Sequence, residues 1–220
     1  MSHSYHHAVS SARTWGGDAS DYIPIHDWLD ATKALVADTR HRALRHHQEI
    51  IGGAYAALHT DRVENSDGVI VSVEGIVRQH LREDFGGLEP RRAEWVESVV
   101  LADWMQPSLA HSRDTVLWHC ARRFGGEAAD YAPLYAWFDE GVTDDPRTRY
   151  ERGHAYGCFW AQECFGPLIA SRPFKPVPTR LVAEFLVSRM YESRLIPAAS
   201  DWLRAMRRPS WVRQPLRLAA

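Results

Sequence analysis

Apolar residues recur at helical spacing along most of the chain, and glycine and proline punctuate the segments they define. Ser4 is placed to cap a short helix through Thr14, which Gly16-Gly17 ends by supplying left-handed backbone. Pro24 opens a second helix that carries Ile25, Trp28 and Leu29 toward Val36. Asp38 or Thr39 then caps a long third helix to about Leu58, with Leu44, Ile51, Tyr55 and His47 in one stripe. Asn65-Ser66-Asp67-Gly68 reads as a turn, and Val69 to Val71 is the one plausible strand of this half. Ser72 opens a fourth helix, Val73 to Phe85, closed by Gly86-Gly87, and Pro90 opens a fifth with Trp95, Val96, Val99 and Val100. The pattern predicts an all-α fold.

The second half repeats this plan. Trp15-Gly16-Gly17 returns as Phe124-Gly125-Gly126, and Asp21 to Asp30 returns as Asp130 to Asp139, both at an offset of 109. Leu88, Pro90, Trp95 and Trp104 return as Leu195, Pro197, Trp202 and Trp211 at an offset of 107, so two residues are lost between. We therefore expect two tandem, pseudo-symmetric helical repeats packed as one compact body, each covering an apolar face of its twin. The first repeat is assigned to residues 1–106, and the second, with an Arg-rich C-terminal tail, to 107–220, joined near Gln106-Pro107-Ser108.

Charge narrows the choice of partner. A net charge of −2 and a pI near 6.6 argue against a general polyanion binder, nucleic acid included. The tail arginines at 204, 207, 208, 213 and 217 have no acid among them and read as a solvated terminus. No apolar run reaches the roughly 18 residues of a membrane span, which predicts no membrane partner. Cys120, Cys158 and Cys164 lack CxxC spacing, so reduced thiols in a cytoplasmic protein are expected, with Cys158 and Cys164 as inert core residues. Most of the nine tryptophans should be core or interface anchors.

The chemistry sits in one half. Of twelve histidines, nine precede residue 107, and three of those fall between His41 and His47. At the matched positions His26 becomes Tyr135, Asp27 becomes Ala136, His80 becomes Val187 and Asp84 becomes Tyr191. The aromatic, glycine and proline framework survives while the polar set is lost. His80 and Asp84, four apart on a helix, point to one side and suit a divalent ion, and His46 or His47 from a second element would add a ligand. The candidate metal set is His7, His46, His80 and Asp84, with zinc, iron or manganese as the ion. His26 or Asp27 is the candidate proton-transfer group, Asp30 and Glu83 are further carboxylates placed to orient an imidazole, and Arg42 and Arg45 are candidates for holding an anionic substrate. His47 aligns with His154 when the third helices are superposed, which favours a buried, hydrogen-bonded histidine in both halves over a ligand. Phosphate-binding glycine loops and the GxSxG motif are absent.

The dipeptide His26-Asp27 resembles the HD pair of metal-dependent phosphohydrolases, which implies a helical fold using His, His-Asp and a distant Asp as ligands. A broader resemblance rests on His7-Ala8-Val9-Ser10-Ser11-Ala12, Trp15-Gly16-Gly17, Asp21-Tyr22 with Ile25-His26-Asp27-Trp28, Arg40 to Leu44 with His46-His47, and Gln79-His80-Leu81 with Glu83 to Gly86. With these motifs in order, the first repeat resembles an uncharacterised bacterial and phage domain family. That resemblance implies a repeat found alone in shorter chains, and it lends no activity. The second repeat departs from the pattern at most histidines but keeps Trp202 and the segment Ile196-Pro197 to Leu203.

The sequence thus points to a divalent-metal-binding helical protein, with metal-dependent hydrolysis of a small anionic substrate as the catalytic version. The alternatives are a non-catalytic interaction protein, such as a phage or host-defence accessory factor meeting a protein partner through Trp104, Trp211 and the tail, and an iron-dependent redox enzyme. A small-molecule binder with a pocket between the repeats is the remaining reading.

Overall fold

Helix α1 (Ser4–Trp15) is capped by His3, whose ring accepts from the Tyr5 amide, and Gly16 and Gly17 turn the chain at φ of 83° and 71°. This computed structural model describes residues 3–105, 111–169, 176–192, 195–209 and 211–212. The predicted joint at Gln106 to Ser108 and the tail residues Arg213 and Arg217 lie outside them. At Gly17 a side chain would collide with Asp21 and Asn65, because this turn docks on the Asn65–Gly68 turn: the Gly17 amide donates to Asp67 Oδ2 at 2.7 Å and the Asp18 amide to Ser66 Oγ at 3.0 Å. Helix α2 (Ala19–Asp30) follows, and its start corrects the expectation of a beginning at Pro24. The Asp21 carboxylate accepts from the Asp18 amide at 2.9 Å, so the cap lies upstream and Pro24 sits inside the helix.

The predicted long third helix is broken. A 3₁₀ turn at Ala31–Ala34 leads to a second one at Thr39–Leu44, capped by Asp38, and regular helix returns only as α3 (Ile50–Leu58). The reason is burial: residues 41–47 are all buried, whereas a straight helix on a core hides one stripe and exposes the rest. Strands β1 (Arg62–Glu64) and β2 (Ile70–Ser72) form an antiparallel hairpin with Val63 opposite Val71, so the single expected strand has a partner. Helix α4 (Val73–Phe85) has the predicted bounds, with Ser72 Oγ accepting from the Gly75 amide and Gly86 left-handed at its end. Helix α5 (Arg92–Glu97) starts two residues after Pro90.

The second half runs through α6 (Arg113–Phe124), α7 (Ala128–Asp139), α8 (Pro146–Arg149), α9 (Ala155–Phe165), the short hairpin β3 (Leu168–Ile169) and β4 (Val177–Pro178), α10 (Thr179–Met190) and α11 (Ala199–Arg204). The protein is mostly helical, with two small hairpins among the described residues, and none of its described helices is long and apolar enough to cross a membrane.

The chain forms two units, residues 1–98 with 206–220, and residues 99–205. In the first, Ala8, Tyr22, Ile25, Leu29, Leu44, Ile76, Val77, Leu81 and Trp95 are buried. In the second, Val116, Cys120, Tyr131, Leu134, Phe138, Cys158, Val182, Leu186 and Val187 form the core. Burial pushes the Cys120 and Cys158 thiols up to about 12, which keeps them protonated and unreactive. Trp28, Trp95, Trp160 and Trp202 are buried, while Trp118 is exposed.

His154 and His47 are both buried, and His154 caps α9 by accepting the Gly157 amide at 2.8 Å on Nδ1. That cap requires a neutral ring, and burial lowers its pKa to about 4. A pKa below the unfolded value of about 6.5 means that the folded state binds fewer protons, so this contribution is full above that pH and is lost as pH falls toward 4. We expect His154→Asn, which keeps an acceptor at the cap, to flatten the pH dependence of unfolding of the second unit between these values by up to about 1.4 kcal/mol per pH unit. Chemical denaturation of both proteins across this range checks it, and superimposable slopes would refute a neutral cap.

Candidate metal centre

Three helices and one irregular segment of the first unit converge on a polar interior. One turn of α2 separates His26 from Asp30, and one turn of α4 separates His80 from Asp84 and Gln79 from Glu83, so each pair shares a face. Helix α1 supplies His7, Ser10 and Ser11, and the segment after the second 3₁₀ turn supplies His46, whose amide donates to the Arg42 carbonyl at 2.7 Å. His7, His26, His41, His46 and His80 are all buried.

The Nε2 atoms of His46 and His80 approach to 3.0 Å. Asp30 Oδ1 lies 3.6 Å from the first and 3.7 Å from the second, and Asp84 Oδ2 lies 3.3 and 3.6 Å from them. All four atoms fall within 4.8 Å of one another. Ligand bonds of about 2.0 Å in a tetrahedron put neighbouring donors about 3.3 Å apart, so these separations are those of a four-coordinate ion's donor set. Each carboxylate engages a cation through its other oxygen: Asp30 Oδ2 meets Lys33 Nζ at 2.6 Å, and Asp84 Oδ1 meets Arg42 Nη2 at 2.7 Å. The inward oxygens, Asp30 Oδ1 and Asp84 Oδ2, accept no hydrogen bond from the protein, an arrangement that a bound cation explains.

Hydrogen bonding determines which nitrogen of His80 carries its proton. The carboxylate of Glu83 only accepts, so it receives Ser10 Oγ at 2.5 Å and Gln79 Nε2 at 2.8 Å, which orients the Gln79 amide. Gln79 Oε1 then accepts from Ser11 Oγ at 2.8 Å. With its proton committed there, Ser11 Oγ accepts from His26 Nε2 at 2.9 Å, which leaves His26 Nδ1 as an acceptor. His80 Nδ1, 2.9 Å away, must therefore donate, and His80 Nε2 presents a lone pair to the other three donors. The five side chains Glu83, Ser10, Gln79, Ser11 and His26 thus hold the His80 imidazole in the tautomer a metal needs.

Electrostatics agree with neutral rings at His26, His41 and His80 beside ionised carboxylates. Burial, reinforced by His46 and His7, holds His80 well below its ordinary value, and burial with His7 lowers His26 to about 4. His41, whose Nδ1 lies 3.3 Å from Thr32 Oγ1, is lowered to about 3, chiefly by burial. For Asp84 burial opposes the charge, but His46, His7 and Arg42 outweigh it and the carboxyl is lowered; His46 and Lys33 do the same for Asp30.

His46, His80 and Asp84 of the expected set come together, and Asp30 joins them as the fourth donor. Asp30, expected to orient an imidazole, instead directs Oδ1 at the Nε2 atoms of both histidines. His7 lies beside this set: Nδ1 bonds Glu83 Oε2 at 2.6 Å, Nε2 stands 3.6 Å from Asp84 Oδ1, and burial notwithstanding, these two carboxylates raise its pKa. His26 belongs to the chain of bonds behind His80, and Asp27 is exposed on α2, outside the cluster. The two arginines have protein partners. Arg42 holds Asp84, while Arg45 is fully buried, donates to the Trp28 carbonyl at 2.6 Å and stacks 4.2 Å over the Trp28 ring. Ser10, Ser11 and Gln79 escaped sequence reasoning, because serine and glutamine have no distinctive spacing.

At the matched positions of the second unit this set is replaced: Ser11 by Cys120, His26 by Tyr135, Gln79 by Leu186, His80 by Val187, Glu83 by Met190, Asp84 by Tyr191 and His46 by Gly153. The Tyr191 ring occupies the space beside Gly153, where a Cβ would collide with it. Yet Arg152 donates to the Trp137 carbonyl and stacks on Trp137 as Arg45 does with Trp28. Residues 2–105 and 110–212 each match one family model, described as a domain of unknown function (DUF6915). The chain belongs to this family. It is a tandem pair of DUF6915 repeats, of which the first carries the donor set, and neither a curated protein nor a solved structure matches it.

Losing the bond behind a ligand imidazole costs about 10–100-fold in metal affinity. We expect His26→Ala in this DUF6915 pair to weaken zinc binding by that amount in competition titrations, and His26→Gln, which keeps an acceptor, to recover most of it. Nitrogen-15 shifts should place the His80 proton on Nδ1; equal affinity in all three proteins, or a proton on Nε2, would refute the assignment.

Proposed function

We propose that this protein binds one divalent metal ion in its first unit, through Asp30 Oδ1, His46 Nε2, His80 Nε2 and Asp84 Oδ2. The observation that carries the reading is the convergence of these four atoms: the two Nε2 atoms are 3.0 Å apart, each carboxylate oxygen is 3.3 to 3.7 Å from both, and all four lie within 4.8 Å. Two imidazoles with two carboxylates suit zinc, iron or manganese. Sequence and fold support one site per chain, since the second unit replaces three of the four donors and keeps only Asp139 at the position of Asp30.

Hydrolysis of a small anionic substrate is the catalytic extension of this reading. A divalent ion would acidify a coordinated water there. Of this chain's groups, His7 is best placed to take a proton, since its Nε2 has no hydrogen-bond partner and lies against Asp84. Capture of the anion draws no support from Arg42 and Arg45, which serve Asp84 and Trp28. Four protein ligands are also the mark of closed structural sites, which favours holding the ion over turnover.

Elemental analysis of untagged protein should find close to one ion per chain. The chelator-stripped protein should regain it from zinc, manganese or iron(II), and an ion at 100 times its Kd should add about 2.7 kcal/mol to unfolding stability. Asp30→Asn and His80→Ala should abolish both effects. Hydrolysis of a phosphoester panel by loaded wild-type protein and not by Asp30→Asn would support the catalytic extension. Absence of metal and of any stabilisation by all three ions would overturn the proposal.

A further inference from the structure

The boundaries of the two units do not follow the repeats. Residues 99–105 end the first repeat but belong to the second unit, and 206–212 end the second repeat but belong to the first. The exchange is reciprocal to the level of single bonds. Arg40 Nη1 donates to the Met206 carbonyl at 3.5 Å and Arg147 Nη1 to the Val99 carbonyl at 3.2 Å, both members of each pair related by the offset of 107. The Arg207 amide reaches the Ser98 carbonyl, and at the same offset the Val100 amide reaches the Ala205 carbonyl, each at 2.8 Å. Each unit is therefore completed by the other repeat's C-terminal segment, the bonding pattern of a segment exchange.

In the first unit the incoming segment lands behind the donor set. Trp211 packs edge-on against Trp95 and Phe85, at 4.8 and 5.7 Å between ring centres. Trp95 Nε1 donates to the His46 carbonyl at 3.1 Å, and Phe85 follows Asp84 in sequence and sets its ring edge-on to His46. Arg208 adds two bonds from its guanidinium to Thr39 Oγ1, at the start of the segment that delivers His46. Trp104, the counterpart of Trp211, packs instead against Tyr150 of the second unit.

We infer that residues 206–212 are the closing element of the first unit's metal centre, with Trp211 positioning His46 and Asp84 through Trp95 and Phe85. The second repeat thus has a task beyond its own fold: it supplies the segment without which the first repeat's site is loosely held. Covalent tandem linkage makes that delivery intramolecular. The inference rests on the metal reading for its principal measurement.

The test compares zinc affinity, by competition with a chromophoric chelator, in the full chain and its variants. Trp211→Ala should bind zinc about 10–100-fold more weakly, as for loss of other ligand-orienting groups, and Trp211→Phe within about threefold of wild type. Trp104→Ala should match wild type. A chain ending at Ala205 should lose affinity and regain it when a peptide of residues 206–220 is added. Wild-type affinity in both Trp211→Ala and the shortened chain would overturn the inference. Should the wild type take up no metal, the metal reading fails by itself, and hydrogen exchange decides the closing role: faster exchange at the His46 and Phe85 amides in Trp211→Ala supports it, and unchanged exchange overturns it.

Discussion

Two carboxylates buried against two imidazoles impose the central constraint on the first unit. Removing an ionised carboxylate from water costs several kcal/mol, and that cost has to be met by partners held in good geometry. Lys33 and Arg42 each neutralise one side of one carboxylate, which leaves a single oxygen of each directed at the Nε2 atoms of His46 and His80. The neighbouring structure follows from this demand. Arg42, Arg45, His41 and His46 have different targets inside the unit, so the chain abandons helix geometry between Thr39 and Ile50 to aim them. Ser11, Gln79 and Glu83 lie between α1 and α4 where an ordinary helix contact would be apolar, because the proton on His80 must be held on one nitrogen.

Helical periodicity made the two-repeat frame legible, since glycine turns, buried aromatics and prolines recur at constant offsets. Within the site, His80 and Asp84 were legible from their spacing on a helix with clear caps. His46 could be named but not placed. An amphipathic pattern presumes one buried stripe, and seven consecutive buried residues violate that presumption through their polar contacts, which periodicity does not encode. Asp30 was legible as a nearby carboxylate but not as a donor, because its approach to His46 and His80 is a contact between elements that periodicity does not encode. The exchange of terminal segments was invisible in sequence, because both repeats keep the residues that make it, whichever unit receives them.

The chain carries its own comparison for why the polar interior exists. On one backbone plan, the second unit fills the matched positions with Cys120, Tyr135, Leu186, Val187, Met190 and Tyr191, and its core is continuous. Apolar residues of similar volume in place of a buried ionic cluster commonly leave stability unchanged or raise it by about 1–4 kcal/mol. Folding alone therefore gives no reason to keep His26, His80, Glu83 and Asp84 in the first unit when the alternative exists about a hundred residues downstream and folds on the same frame. What the apolar version lacks is a set of lone pairs directed at one point. The polar version is best understood as a site retained for what it holds, on a frame that is stable without it.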